Sequence, residues 1–382
     1  MQAEKMVAFD HDKFERIVAF EGLRGLAAIV VVVWHTMLAF NPQCTVGFCM
    51  FDPTESFLES VFFVFMNGTA AVVLFFVLSG FVLSRKAFML ESRVEILRNA
   101  IKRYPRLMLP VLISVLFSWT LFYLDLFSFE EAAAISKSPW LEKFGGVHEV
   151  PFKTSIFAAV QQGVFYTFFR GDNSYNFSLW TMRLEMCGSF IIFGATFLLI
   201  EIKHKEIMLK LYVFFIIYML ADFASSVYTT FVVGAALAYI LPPRNRWQFS
   251  LPARSVSLVL GLYFLGFSQP IGVYVIFSGY SFLVLNTLGA CLVIASLYYG
   301  NPGYKLNAIY KFLGGLSFPL YLIHGPVIFS LGCSIYLYFF NKSIQTQLMM
   351  IPLCILISIF AAIPLMWINN MWLAYLNRRI QI

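Results

Sequence analysis

Charged residues are scarce in this chain of 382 residues. They make up 12% of it, whereas hydrophobic residues make up 60%, and the mean hydropathy is +0.78. In a soluble globular domain about a quarter of the residues are charged. The composition therefore excludes an ordinary soluble domain and predicts an integral membrane protein.

The net charge is basic, at +7. Because the basic residues lie in short connections between apolar runs, they indicate which side of a membrane each connection faces. We therefore expect no nucleic-acid partner.

Motifs of several enzyme classes are missing as well. The chain has no CxxC pair and no histidine-rich spacing, so we expect no metal ion. It has no GxSxG motif, and Ser79 has neither His nor Asp at the spacing of an activated nucleophile. We interpret Ser79, beside Gly80, as a small residue that lets two helices approach closely.

Cysteine is rare, and four of the six cysteines lie in apolar runs where they are expected to be small core residues: Cys187, Cys291, Cys333 and Cys354. Cys44 and Cys49 share a short connection that the topology below places outside, where they could form a disulfide. Residues 1–16 are charged and hold no apolar run of their own. We therefore expect a cytoplasmic N-terminal segment and no cleavable signal peptide.

Ten apolar runs are long enough, or nearly long enough, to cross a bilayer. The predicted spans are Phe20–Phe40, Val61–Ser84, Pro105–Leu124, Ser178–Ile200, Ile207–Ala221, Ser226–Leu241, Ser255–Phe267, Tyr280–Tyr299, Phe312–Phe340 and Met350–Leu376. The connection over residues 125–177 is the longest, and we interpret it as a functional external loop. Within it, Ile156–Phe169 is apolar but too short to cross, which favours a re-entrant or interfacial helix.

The distribution of charge predicts the topology. With the amino terminus inside, 21 of the 27 lysines and arginines fall on the cytoplasmic side, as the positive-inside rule requires. We therefore predict an all-α integral membrane protein, a polytopic bundle of about ten transmembrane helices with both termini cytoplasmic. It forms one domain over residues 1–382 and lies in a plasma or inner membrane.

The first span carries Arg24 near one end and His35 inside. Eleven residues at roughly 100° each return His35 to nearly the same face as Arg24, about 16 Å further along the axis. Either residue alone fits a structural role, Arg24 by snorkelling to the interface and His35 by hydrogen bonding inside the bundle. Because ionisable groups at membrane depth usually serve a function, a binding cation and a titratable base are the alternative.

Arg103 and Arg106 lie three residues apart, which places both on one helix face. Guanidinium groups suit bidentate phosphate binding, but an isolated pair also serves as a positive-inside anchor. Together with Arg24 on the same side, the pair favours a cytosolic polyphosphate ligand.

The fourth span begins with Arg183 and Glu185, and a carboxylate at membrane depth costs about 2.5–3.5 kcal/mol on insertion scales. Glu185 could orient or neutralise an imidazole, or it could pair with Arg183. The residues just before and at the start of this span could hold a polyol or simply be solvated: Asp172, Asn173, Tyr175, Asn176 and Trp180.

The ninth span contains a second histidine, His324, between Pro319 and Pro326. Prolines inside a membrane helix are tolerated where the helix is buried or lines a cavity. We favour a hydrogen-bonded structural role for His324 over a second base, and we include it among the residues near an acceptor.

Five of these features, in order, resemble the acyltransferase-3 family of integral membrane O-acyltransferases. They are the R-x10-H helix (Arg24, His35), FFVLSGFVLS in the second span, R-x-x-R (Arg103, Arg106), LWTMRLE (Leu179 to Glu185) and LSFPLYLIHGPV (Leu316 to Val327). The resemblance runs nearly end to end. Many bacterial relatives append an external SGNH hydrolase-like domain, and we expect none here.

The resemblance implies transfer of an acyl group, often acetyl, from cytosolic acyl-CoA to a hydroxyl of a glycan, a lipid-linked sugar or a small molecule. Arg24, Arg103 and Arg106 would bind the phosphates of the donor, His35 would be the general base and Glu185 its partner. Expected partners are acyl-CoA, the acceptor and membrane lipids. The alternative is a proton-coupled transporter or flippase that uses His35, Glu185 and His324 as a relay.

Overall fold

The computed structural model describes residues 17–42, 60–147, 155–202, 207–241, 250–268, 276, 279, 281–299, 304–339 and 344–380. The predicted N-terminal segment and the Cys44–Cys49 pair lie outside these residues. Within them every regular element is helical and no strand occurs. The predicted all-helical class is therefore confirmed for the described part of the chain.

The helices, numbered in chain order, are α1 (Val18–Phe40), α2 (Gly68–Leu90), α3 (Arg93–Tyr123), α4 (Phe129–Ser136), α5 (Pro139–Glu142), α6 (Ile156–Phe169), α7 (Trp180–Glu201), α8 (Ile207–Ala224), α9 (Ser226–Ile240), α10 (Leu251–Leu265), α11 (Phe282–Tyr298), α12 (Tyr304–Val327), α13 (Cys333–Phe339) and α14 (Ile344–Arg379). A π-helical turn, Ile328–Gly332, joins α12 to α13, and another, Gln162–Tyr166, interrupts α6.

Six helices of the described chain are long and apolar enough to cross a membrane: Val18–Phe40, Gly68–Leu90, Arg93–Tyr123, Phe177–Glu201, Leu306–Phe339 and Met349–Arg379. They mark the chain as a membrane protein. At the other four predicted spans the fully described apolar segments are shorter: Val213–Phe223, Ser226–Ile240, Leu251–Leu265 and Phe282–Tyr298. The total of ten spans and the cytoplasmic position of the termini stay predictions.

Two predicted boundaries differ from the structure because capping side chains set the helix starts. α2 begins at Gly68 rather than Val61, and the Asn67 side chain accepts a hydrogen bond from the Ala70 amide at 3.0 Å. α3 begins at Arg93, after the cap Ser92, and continues through both prolines that were expected at its start. Each proline removes only one backbone hydrogen bond, so a long helix can contain it.

Glycines bring the central helices into close contact. A methyl group at Gly25 of α1 would clash with Leu313 of α12, and one at Gly22 would clash with Tyr310. The residue numbers at these contacts increase in the same direction along both helices, so α1 and α12 run parallel. This is the relative direction that the first and ninth spans have in the predicted topology.

The connection after α3 folds back over the carboxyl end of α1. The Ser138 hydroxyl, which caps α5, donates a hydrogen bond to the Leu38 carbonyl at 2.5 Å. Three aromatic rings from this connection pack on Phe329 of the π-helical turn before α13: Phe129, Trp140 and Phe144. The described residues 125–147 of this connection therefore form an aromatic cover over one end of the bundle.

Gly80 of α2 and Gly234 of α9 form a second close contact, since a methyl group on Gly80 would meet the Phe231 carbonyl. We expect Gly80→Ala to lower stability by about 1–3 kcal/mol, because backbone atoms cannot yield as a flexible side chain would. Thermal unfolding of the purified protein in detergent measures this effect. Gly194→Ala is the matched control, since its methyl group meets no described atom within 4 Å. Equal melting temperatures for the two variants would contradict the contact.

Candidate active site

The structure brings the two predicted membrane histidines together. His35 of α1 and His324 of α12 lie with Nδ1 of His35 2.8 Å from Nε2 of His324. His324 is fully buried and His35 is partly buried. The close packing of α1 on α12 thus places two imidazoles in direct hydrogen-bond contact.

Aromatic rings enclose this pair. The Trp140 indole lies nearly parallel to the His35 ring, at 9° and 5.2 Å between centroids, and Phe177 meets His35 edge-on at 5.0 Å. Sequence reasoning missed Trp140, because nothing in the spacing of a loop tryptophan shows that α5 returns to α1. Its only local signal is the helix-start pattern Ser138-Pro139, which sets the direction of α5.

Glu185 has a different partner from either of those predicted. Arg103 donates a hydrogen bond to Glu185 Oε1, and the Ser79 hydroxyl donates to the same oxygen at 2.9 Å. In the described chain Glu185 bonds to these residues and not to His35, and Arg183 is exposed. Ser79 therefore does more than permit close helix approach, since it helps to satisfy a partly buried carboxylate.

The predicted phosphate-binding arginines lie in different surroundings. Arg103 is 7% exposed, whereas Arg106, one turn further along α3, is exposed, and Arg24 is half-buried. Arg103 Nε has no hydrogen-bond partner in the described chain, so one buried donor remains available. Both arginines lie on α3, but the shared helix face predicted for them does not give them the same surroundings, and a common phosphate site stays a prediction.

The predicted acceptor residues form a compact turn before α7. Asp172 accepts hydrogen bonds from the Ser174 amide and hydroxyl at 3.0 and 2.7 Å, and Asn173 donates to the Phe177 carbonyl at 3.1 Å. Burial raises the pKa of the Tyr175 phenol from its ordinary value, and the nearby Asp172 carboxylate raises this pKa further. The turn is held by its own side chains and by those of Gln162 and Thr167 in α6.

Asn176 and Trp180 occupy opposite environments. Asn176 is fully buried, and its side-chain amide donates to the Leu322 carbonyl at 2.7 Å. Pro326, four residues after Leu322, has no N–H to bond that carbonyl, so Asn176 fills the gap in α12. Trp180 is 45% exposed.

Tyr321 links the start of α7 to α12 one turn before His324, and sequence reasoning missed it. Its hydroxyl donates to the Ser178 carbonyl at 2.9 Å and lies 2.8 Å from the Thr181 hydroxyl. In the described ranges, no group of three His, Cys, Asp or Glu side chains could hold a metal ion. The charged and titratable groups that the structure brings together here are imidazole, carboxylate and guanidinium groups.

The family model for acyltransferase-3, described as an acyltransferase domain, matches residues 17–368. The chain belongs to this family. The acyltransferase is 24% identical over 374 residues to the O-acetyltransferase PaAT-1 of Phomopsis amygdali, an alignment that covers 82% of this chain and 72% of the relative. No solved structure matches the chain.

The Arg103–Glu185 ion pair is largely removed from solvent, with side chains 8% and 14% exposed. We expect Glu185→Ala to destabilise the acyltransferase by about 3–5 kcal/mol, because it leaves the arginine charge buried without its partner. A double-mutant cycle with Arg103→Ala, followed by thermal unfolding, measures the coupling. The exposed Arg93–Glu201 pair is the control, and its cycle should give about 0–1 kcal/mol. Equal coupling free energies in both cycles would show that burial does not strengthen the interaction between the two charges.

The bond from Asn176 to α12 can be tested by rescue. Asn176→Ala should cost about 1–3 kcal/mol, because the Leu322 carbonyl loses its partner. Adding Pro326→Ala supplies a backbone N–H at the position that normally bonds this carbonyl, so the double variant should recover part of the melting temperature. If the stability losses of the two single variants simply add, the stabilising effect of Asn176 does not come from its bond to the Leu322 carbonyl.

Proposed function

We propose that the protein is a multi-pass membrane O-acyltransferase that moves an acyl group from acyl-CoA to a hydroxyl group. The observation that carries this proposal is the His35 imidazole, held between His324 and aromatic rings inside the helices of an acyltransferase-family chain. Acetyl is the preferred acyl group, because a relative is named an O-acetyltransferase.

His35 acts as the general base. Its free nitrogen removes the proton of the acceptor hydroxyl while the oxygen attacks the thioester carbonyl. A C–O bond then forms, the C–S bond breaks, and the departing CoA thiolate takes the proton from His35. Such general-base catalysis contributes about 10²–10⁴ in rate. A direct transfer needs no acyl-enzyme, which agrees with the lack of an activated serine or cysteine in the sequence.

Arg24, Arg103 and Arg106 bind the phosphates of the donor. Because α1 is one uninterrupted helix, Arg24 lies about 16 Å from His35 along the axis, a span that a pantetheine arm can bridge. The unpaired Nε of Arg103 offers a donor to a phosphate oxygen. Glu185 then acts through Arg103 as a positioning residue, since the carboxylate fixes that guanidinium.

The acceptor hydroxyl belongs to a glycan, a lipid-linked sugar or a small molecule. Half-buried Asp172 and Asn173 and exposed Trp180 offer polar groups and an aromatic face for it. Tyr175 and Asn176 are buried in the turn and support these residues from beneath. His324 contributes through His35, with which it is hydrogen-bonded.

A proton-coupled transporter or flippase is the competing function. The contact between His35 and His324 suits a proton relay, but Glu185 is bonded to Arg103 and Ser79, which removes the third member proposed for that relay. Dependence on acyl-CoA separates the two functions.

We expect purified wild-type protein in detergent to bind acetyl-CoA, with Arg24→Gln weakening binding at least tenfold because a phosphate loses a cation. His35→Gln should bind as the wild type does and lose transfer by about 10²–10⁴-fold, since only the base is removed. Calorimetry measures binding, and release of free CoA thiol in the presence of candidate acceptors measures transfer.

Two variants serve as matched controls for this experiment. Arg93→Gln removes an exposed cation from the ion pair with Glu201 and should leave binding unchanged. Thr36→Val keeps the shape of the residue next to His35, loses the hydroxyl's hydrogen bonds to the Val32 carbonyl and the Cys354 thiol, and should leave transfer unchanged. A fully active His35→Gln protein of normal abundance would refute the assignment of His35 as the general base. Failure of the wild type to bind any acyl-CoA would favour the transporter function.

A further inference from the structure

The two histidine rings are joined edge to edge rather than face to face. Their planes differ by 14°, and their centroids are 5.0 Å apart while the joined nitrogens are 2.8 Å apart. The centroid separation is close to the nitrogen–nitrogen distance plus the two ring radii, so the hydrogen bond lies nearly on the line between the centroids. This is the linear geometry in which one nitrogen donates straight into the lone pair of the other.

A backbone carbonyl sets the direction of this hydrogen bond. Nδ1 of His324 lies 3.2 Å from the Leu320 carbonyl oxygen. A carbonyl can only accept, so this nitrogen carries the proton, and the other nitrogen of a neutral imidazole must then be an acceptor. His35 therefore donates from Nδ1, and the lone pair of its ring lies on Nε2.

We propose that His324 is a positioning residue that holds His35 in the tautomer with a bare Nε2. The inference rests on the proposed function, in which His35 is the base, and it names the nitrogen that receives the proton. In the described chain Nε2 of His35 has no hydrogen-bond partner, so it is the nitrogen left for an acceptor hydroxyl. Trp140 and Phe177 restrict rotation of the ring from its other sides.

A histidine suits this position better than a carboxylate. In hydrolase triads a carboxylate fixes the tautomer of the base histidine and stabilises the imidazolium. Here the partner is fully buried among apolar helices, where a permanent negative charge would be costly. A neutral imidazole anchored to a carbonyl supplies the same directed acceptor without a charge. When His35 takes up a proton, its bond to His324 becomes charge-assisted and stronger.

Nitrogen NMR of wild-type protein labelled with ¹⁵N-histidine tests the tautomer directly. The chain has five histidines, and His35→Gln and His324→Gln identify the two signals. We expect neutral His35 to carry its proton on Nδ1. A proton on Nε2 would overturn the proposal. This spectrum requires no acyl transfer, so it is independent of whether the proposed function holds, and absence of transfer by the wild type would refute that function alone.

Two substitutions test the same role by activity. His324→Phe keeps an aromatic ring but has no acceptor, whereas His324→Gln places an amide oxygen near the former Nε2. We expect His324→Phe to lower kcat by at least tenfold. The loss should not exceed the contribution of the base itself, which is roughly 10²–10⁴-fold. KM should change less than kcat. His324→Gln should recover a substantial part of kcat and retain the Nδ1 proton on His35.

Ser317→Ala is the control for packing of the same helix, since it removes a buried hydroxyl bonded to the Gly314 carbonyl. It should leave kcat unchanged. Equal losses in His324→Phe and His324→Gln, with both proteins folded, would overturn the positioning role. If His324→Phe does not fold, the wild-type spectrum and the His324→Gln variant still decide the question.

Discussion

Polar groups inside an apolar helix bundle must find their partners within the protein, because the surroundings offer none. Each buried ionisable side chain near the site has at least one partner in the protein, although Nε of Arg103 has none in the described chain. Arg103 and Glu185 neutralise each other, and His35 and His324 satisfy each other without charge. Arg85 at the end of α2 donates to the Ala238 carbonyl at 2.5 Å, at the end of α9. The site is thus assembled by pairing across helices, and its residues come from distant parts of the sequence.

The same constraint explains why irregular backbone lies beside the site. Prolines and π-helical turns free carbonyl groups, which side chains then take up. Asn176 bonds the Leu322 carbonyl that Pro326 leaves open, and the Ser330 hydroxyl donates to the Pro326 carbonyl at 2.6 Å. In the other π-helical turn, the Tyr104 hydroxyl donates to the Val164 carbonyl at 2.7 Å. The Leu322 and Val164 carbonyls are therefore bonded by side chains from outside their own helices, whereas the Pro326 carbonyl is bonded from four residues further along the same segment.

The sequence predicts much of the fold, because apolar runs and helix periodicity are local signals. It places α1, identifies Arg24 and His35 on it, and detects the apolar helix at Ile156–Phe169. It does not predict pairing, since the partner of a buried charge depends on how helices pack. Glu185 was expected beside His35 or Arg183 and is bonded to Arg103 instead. Likewise, α5 could not be predicted to bring Trp140 onto His35, because a loop return has no periodicity.

The register between α1 and α12 determines whether the two histidines can meet. Gly25 meets Leu313 at one end of the contact, and His35 meets His324 ten and eleven residues later. A shift of α12 by one residue would rotate His324 by about 100° and translate it by about 1.5 Å, which would break the bond between the imidazoles. Larger residues at Gly22 or Gly25 would separate the helices in the same way. The glycines therefore fix the geometry of the histidine pair from more than two helical turns away.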